Sequence, residues 1–266
     1  MKIVRFVFVA FLALPFAGHA DALFGNDLAG DAKLPRKFGI GIDYFYMSQP
    51  YQIDSLTISP PVLPISGGED IGVDNNAQYV DLKADVWLFP FLDLFAIYGK
   101  IDGNTKVDLS GLGLPLPPDI ETLPVNYRGD VTGGGLVLAA GGEKWFASLT
   151  GTWVTTSLSG DYNSSVDVRT LQPRIGLRYG ENTELWIGGF FIDAQEKHSG
   201  TIILDLGPLV PGGPTPIDFA VDLSQKEDFN LSIGTHMMFS DSWEATVEVG
   251  GGDRETVLAN FTYRFE

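Results

Sequence analysis

The chain reads as all-β, a transmembrane antiparallel up-and-down β-barrel of about ten strands, and three observations predict it. Segments of roughly ten residues alternate apolar and polar side chains with a period of two, as strands with unlike faces do. The connections between them alternate short and long. No stretch beyond the first twenty residues holds the roughly 18 consecutive apolar residues of a membrane-spanning helix. Thirty-two glycines and an aromatic content of 12% fit a β-rich chain with many turns.

Residues 1–20 read as a secretory signal peptide. Lys2 and Arg5 supply a positive start, residues 6–17 an apolar run, and Gly18-His19-Ala20 a small-residue ending before Asp21. The run is about a dozen residues, too short for a membrane anchor of roughly 20. Residues 21–36 lack alternation and are expected to form an N-terminal periplasmic arm, a short helix or loose segment before Pro35. The barrel is expected over residues 37–266.

The first strand is read over 37–48, with Phe38, Ile40, Ile42, Tyr44 and Tyr46 on one face. The second, 77–89, has the cleanest pattern: Val80, Leu82, Ala84, Val86 and Leu88 against Asp81, Lys83 and Asp85. Pro90 breaks it and 91–101 restarts at once. Further strands are read over 127–140, 145–155, a segment ending at 179, 184–193, 228–239, 243–250 and 255–265. Residues 184–193 are apolar on both faces, so their register stays open. In the last strand Val257, Ala259, Phe261, Tyr263 and Phe265 oppose Asn260, Thr262 and Arg264, with Leu258 as an apolar intruder.

Short turns are read at 90–91, 141–144, 180–183 and 240–242. Long connections lie near 49–76, 102–126 and 194–226, with 157–165 and 251–254 as shorter members of the same side. Trp87, Trp145, Trp186, Trp243, Tyr79 and Tyr179 lie near turns and are expected to form an interfacial aromatic girdle. The long connections carry alternating apolar arms and Pro-rich tips. They read as strand extensions beyond the membrane, packed together as a cap.

The signal segment, the alternating strands and the aromatic last strand resemble Gram-negative outer-membrane β-barrel proteins of the small porin-like kind. The resemblance covers the chain after residue 20 and is architectural. It implies periplasmic short turns, extracellular long loops, contact with outer-membrane lipid and lipopolysaccharide, and recognition of the last strand by the barrel-assembly machinery. Such proteins often end on Phe, whereas here Glu266 follows Phe265.

The formal charge of −17 becomes −19 once Lys2 and Arg5 are removed (−17 − 2). So acidic a chain disfavours nucleic acid. It contains no cysteine, so no disulfide holds it. Beyond residue 20 the histidines are His198, expected in a solvated loop, and His236, expected in the lumen as a structural residue. No Gly-x-Ser-x-Gly elbow or paired-histidine zinc spacing occurs, so no enzyme activity, metal or cofactor is expected. The faces chosen for the lumen carry Asp81, Lys83, Asp85, Arg174, Arg178, Glu244, Glu248 and Arg264, which can pair across a narrow barrel or line a small path. The expected function is a narrow channel or a barrel binding a small solute, with a capped outer face. A structural or adhesive surface barrel and a hydrolase using His236 are the alternatives.

Overall fold

A computed structural model describes residues 22–29, 35–59, 71–110, 121–160, 162–180, 182–204 and 213–266. The segment read as a signal peptide lies outside them. Among the described residues the chain forms β1 (Phe38–Ser59), β2 (Gly72–Phe89), β3 (Leu92–Asp108), β4 (Thr122–Gly141), β5 (Trp145–Gly160) and β6 (Asn163–Tyr179). It continues with β7 (Thr183–Leu204), β8 (Thr215–Gln225), β9 (Phe229–Met238), β10 (Trp243–Gly251) and β11 (Glu255–Phe265). The arm contributes a short 3-10 turn, Asn26–Ala29.

All pairings are antiparallel, and β1 pairs with β11 from Phe38↔Phe265 to Ser48↔Glu255, which closes the sheet. Closure leaves no edge and pairs the backbone groups around the ring, the condition for strands to cross hydrocarbon. The sheet has a step in it. At the short-turn end ten strands complete the ring, running β1 through β7, then β9, β10 and β11. Farther up, β8 alone bridges β7 and β1, so the ring there has eight strands.

Several joints hold this step. Gln225 inserts where β7 changes partner: Ala194 N–H donates to its Oε1 at 3.0 Å, and its Nε2 donates to Ile192 O at 3.1 Å. On β1 the change of partner falls at Gln49-Pro50. Pro50 O accepts from Lys226 N at 3.4 Å, so the proline nitrogen faces the interrupted ladder, where a missing N–H leaves no bond unmade. The step also explains why the sequence suggested ten strands and a long loop over 194–226. Strand β7 runs on to Leu204 and β8 returns beside it. The alternation of β8, with Ile217 and Leu223 buried and Asp218 exposed, sits behind Pro216 and an Asp-rich face.

The outer wall of the ten-stranded part is an apolar band. On β1 it runs from Phe38 through Ile40 and Ile42 to Tyr44 and Tyr46, and then gives way to Ser48 and Gln52. On β5 it runs from Trp145 to Trp153 and gives way to Thr155 and Ser157. Eight residue steps at about 3.3 Å give roughly 26 Å along a tilted strand, near the height of a barrel's lipid-facing band. Leu177, Ile187, Leu231 and Ile233 stand 59–68% exposed in this band, an exposure that water would penalise and hydrocarbon would not.

The aromatic girdle needs correction. Trp145, Trp243 and Tyr179 face outward near the short turns. Trp186 and Tyr79 point into the lumen, and Trp87 is the cross-strand partner of the buried Asp93. Beside a turn, the parity of a residue decides its environment, and these three share the parity of the inward face.

The arm docks at the short-turn end. Leu23 and Phe24 N–H groups donate to Trp87 O and Leu88 O at 2.9 and 3.0 Å. The Phe24 ring meets Phe89 at 5.9 Å. Glu266, the residue after the expected final Phe, pairs with Lys37 at 3.2 Å across the β1–β11 seam.

Candidate functional site in the barrel lumen

Alternation carries every second residue inward, and bulky inward groups lean on glycines of neighbouring strands. A Cβ built on Gly234 would lie 2.3 Å from the Trp186 ring, and one on Gly103 would lie 2.2 Å from Tyr127. These close approaches let aromatic rings lie flat across the lumen. The filled interior divides into three levels.

The lowest level is ionic. Arg264 of β11 donates to Asp85 at 2.8 Å and to Glu244 at 2.7 Å. Arg178 donates to Glu184 at 3.0 Å and to Gly142 O at 2.7 Å. His236 lies between them, 3.4 Å from Glu244 and 3.8 Å from Glu184. One step higher, Arg174 donates to Glu248 at 2.6 Å, lies 5.4 Å over the Trp186 ring, and reaches Thr150 and Gln172. Trp186 Nε1 also donates to Glu248, at 3.0 Å. Charge-assisted bonds of this kind offset the cost of burying the ions. On the opposite wall Asp81 is 2% exposed, and neither of its carboxylate oxygens has a hydrogen-bond partner among the described residues. Lys83 stands between Asp81 and Asp85 on the same inward face, without an ion pair among the described residues.

The middle level is an apolar septum. Phe45 and Met47 of β1 meet Phe190, Ile192 and Ala194 of β7, with Tyr79, Val168 and Leu258 packed around them. The Phe45 ring lies 5.1 Å from Tyr79 and 5.9 Å from Phe190. β1 and β7 stand four strands apart on the shorter arc of the ring, so this contact crosses the lumen. Leu258, the apolar intruder of the last strand, is inward because the septum needs it there.

Arg254 lies beside the septum. It comes from the β10–β11 turn, is 1% exposed, and donates to Gln49 Oε1 at 2.6 Å, to Asn230 Oδ1 at 3.2 Å and to Glu227 O. Its guanidinium sits 5.9 Å from the Phe190 ring. It thus seals the step from ten strands to eight.

The upper level, beyond the apolar band, is polar. Tyr51 donates to Glu196, whose other oxygen lies 3.2 Å from His198 Nε2, and His198 Nδ1 is 2.7 Å from Ser164 Oγ. Burial, followed by the Glu196 charge, raises the Tyr51 phenol well above its ordinary pKa, so it stays a donor. Asn75 donates to Thr105 at 3.0 Å and to Tyr127 at 2.9 Å. Above them Tyr51, Ile71, Val73 and Leu223 form a second apolar cluster. The extensions predicted for the long connections therefore exist and pack inward. The tips of the first two lie outside the described residues, as do residues 205–212 of the third, whose Pro216 falls in β8.

All eight charged residues chosen from the sequence face the lumen, and the structure joins six of them in ion pairs. Asp85, Glu244 and Arg264 form one group, Arg174 pairs with Glu248, and Arg178 pairs with Glu184. His236 faces the lumen between Glu184 and Glu244. His198 is not a solvated loop residue: it is 8% exposed on the inner face of β7, because the strand continues past the point where the sequence suggested a loop. The sequence reading also missed Glu184, Glu196 and Arg254. Glu184 and Glu196 share the inward parity of Trp186, a signal hidden while the β7 register was open. Arg254 sits in a Gly-Gly-Asp-Arg turn with no local sign that it folds inward.

No protein-family model matches this chain, and no curated protein resembles it in sequence. Among solved structures it is similar to the transport unit of the autotransporter AIDA-I from Escherichia coli, at TM-score 0.41 and 12% identity over 93% of this chain and 95% of that one. It is also similar to the COG4313 outer membrane channel from Pseudomonas putida F1, at TM-score 0.38 and 14% identity over 89% and 98%. A third is the Ralstonia pickettii toluene transporter TbuX, at TM-score 0.35 and 8% identity over 86% and 90%. Likeness this loose carries no function across. The class is defined by the chain's own closed antiparallel ring and apolar outer band: it is a membrane-type β-barrel.

Proposed function

We propose that this protein is an outer-membrane β-barrel of a Gram-negative cell, working as a narrow channel that is shut at rest. The long-connection end faces outward, and the short turns, the arm and the β1–β11 seam face the periplasm. The observation that carries this reading is the septum, a thin apolar layer between two levels whose walls bear charged and polar groups. Below it, Asp81 and Lys83 line the wall without ion pairs. Hydrophobic constrictions between polar vestibules stop ions by excluding water, and they open when the layer parts.

Planar-bilayer recording tests this. Wild-type protein is expected to show rare, small openings. Phe45→Ala together with Phe190→Ala removes the rings that meet across the lumen and is expected to give frequent openings of larger conductance. Silence from both proteins, after the heat-dependent gel migration of a folded barrel has been verified, rejects the channel. That result favours a second reading, a structural surface barrel, which the packing of aromatic rings onto glycines supports. His236 is placed in this reading among the ion pairs of the lowest level, 3.4 Å from Glu244 and 3.8 Å from Glu184.

A further inference from the structure

Two carboxylates meet directly beneath the septum. Asp43 of β1 and Asp81 of β2 are cross-strand partners on the inward face. The next inward pair up the same two strands is Phe45 and Tyr79, whose rings stack 5.1 Å apart within the septum. Like charges directly opposite one another in a sheet are destabilising, so a lumen that only had to be filled gains nothing from this pair. The neighbours offer little relief. Asn260 of β11 donates to Asp43. On its other side Asp81 faces Gly99 of β3, which has no side chain to donate, and a Cβ built there would lie 2.5 Å from the Asp81 Cβ. Asp81 is 2% exposed, and both its carboxylate oxygens lack a hydrogen-bond partner among the described residues.

The other charges of the lower lumen do not neutralise the pair. Arg264, Arg174 and Arg178 are each held by carboxylates of their own. Arg36 donates to Ser242 at 2.7 Å at the short-turn end. Asp93 adds a further buried carboxylate, with one oxygen unpartnered. Lys83, one inward position below Asp81, is the remaining lower-lumen cation among the described residues. Among those residues no three Asp, Glu or His side chains gather closely enough to chelate a metal ion. Two carboxylates attract a cation without caging it, and conduction requires an ion to be drawn in and then released.

We propose that the channel carries small monovalent cations, with Asp43 and Asp81 as its selectivity site. The pair stands at the foot of the septum, where an ion about to cross sheds part of its water. Two negative charges there stabilise a cation and repel an anion, and the low-dielectric layer above strengthens both effects. Lys83 is a tethered cation beside the pair, so a mobile cation competes with its ammonium. The proposal rests on the reading of the lumen as a channel.

Planar-bilayer recording across a potassium chloride gradient tests it, in the Phe45→Ala, Phe190→Ala protein whose openings are expected to be frequent. The reversal potential should report potassium over chloride by about fivefold, the order of one charge contact beside a wet path. Asp43→Asn with Asp81→Asn, added to that background, should bring the ratio to about one or below, because Lys83 then stands without them. Lys83→Met in the same background should raise the ratio, since it removes the tethered competitor. A ratio of about one or below in the background protein, an unchanged ratio after the double Asn change, or greater permeability to calcium than to potassium overturns the proposal. Heat-dependent gel migration verifies the fold of each protein first. Silence from the folded background protein overturns the channel and this site together, whereas steady current without cation preference overturns the site alone.

Discussion

Replacing Arg264 by methionine tests whether the ionic level holds the barrel's lower end together. The Arg264 side chain is 8% exposed and bonds two carboxylates, Asp85 at 2.8 Å and Glu244 at 2.7 Å. The side chains of those partners are 0% and 11% exposed, so neither can turn to water. Methionine keeps the length and removes the charge. Two buried carboxylates then face one another, and Glu244 keeps only His236, at 3.4 Å. Breaking a buried pair from one side costs about 3–5 kcal/mol. The neutral triple variant, Arg264→Met with Asp85→Asn and Glu244→Gln, removes the stranded charges and should recover most of that loss. Urea unfolding in lipid vesicles, followed by tryptophan fluorescence at neutral pH, measures both proteins. If the single variant falls within about 1 kcal/mol of wild type, or the triple is as unstable as the single, the pairing does not carry the stability assigned to it here.

Two further outcomes follow from the packing. Gly234→Val drives a side chain into the Trp186 ring and should destabilise by roughly 1–3 kcal/mol in the same unfolding assay, while Gly251→Ala, with nothing within 4 Å, should leave the midpoint near wild type. Arg254→Ala should free the β10–β11 turn, so that hydrogen exchange at residues 250–257 speeds up by tenfold or more while exchange in β3 and β4 stays unchanged, consistent with loss of its bonds to Gln49, Asn230 and Glu227.

What the sequence conveyed depended on how unlike the two faces of each strand are. In β2, Asp81, Lys83 and Asp85 separate four apolar residues, so inside and outside could be told apart. β11 was as clear, and in the structure it pairs with β1 to close the ring. In β7 both faces are apolar, because its inner face supplies Phe190, Ile192 and Ala194 to the septum while its outer face meets the apolar band. No local pattern distinguishes hydrocarbon from a septum. β8 stayed hidden for another reason. Its outer face lies above the apolar band and carries Asp218 and Asp222, so with Pro216 beside them it resembles a loop. Ion pairs such as Arg174 with Glu248 join residues far apart in the chain, so the sequence supplied the members and only the ring's closure supplied the partners. The site's upper half, from Tyr51 through Glu196 to His198 and Ser164, depended on a strand that the sequence seemed to end too early.

The absence of cysteine makes each introduced one unique, and this allows the central claim to be read residue by residue. Single cysteines at positions 257 to 263 of β11, each carrying a nitroxide, can be measured in lipid vesicles for collision with oxygen dissolved in the bilayer. Val257, Ala259, Phe261 and Tyr263 should be accessible, and Leu258, Asn260 and Thr262 protected, giving a period of two with the accessible face outward. A flat profile, or one in which the even-numbered positions are the accessible ones, would contradict a ten-stranded membrane barrel with its lumen filled.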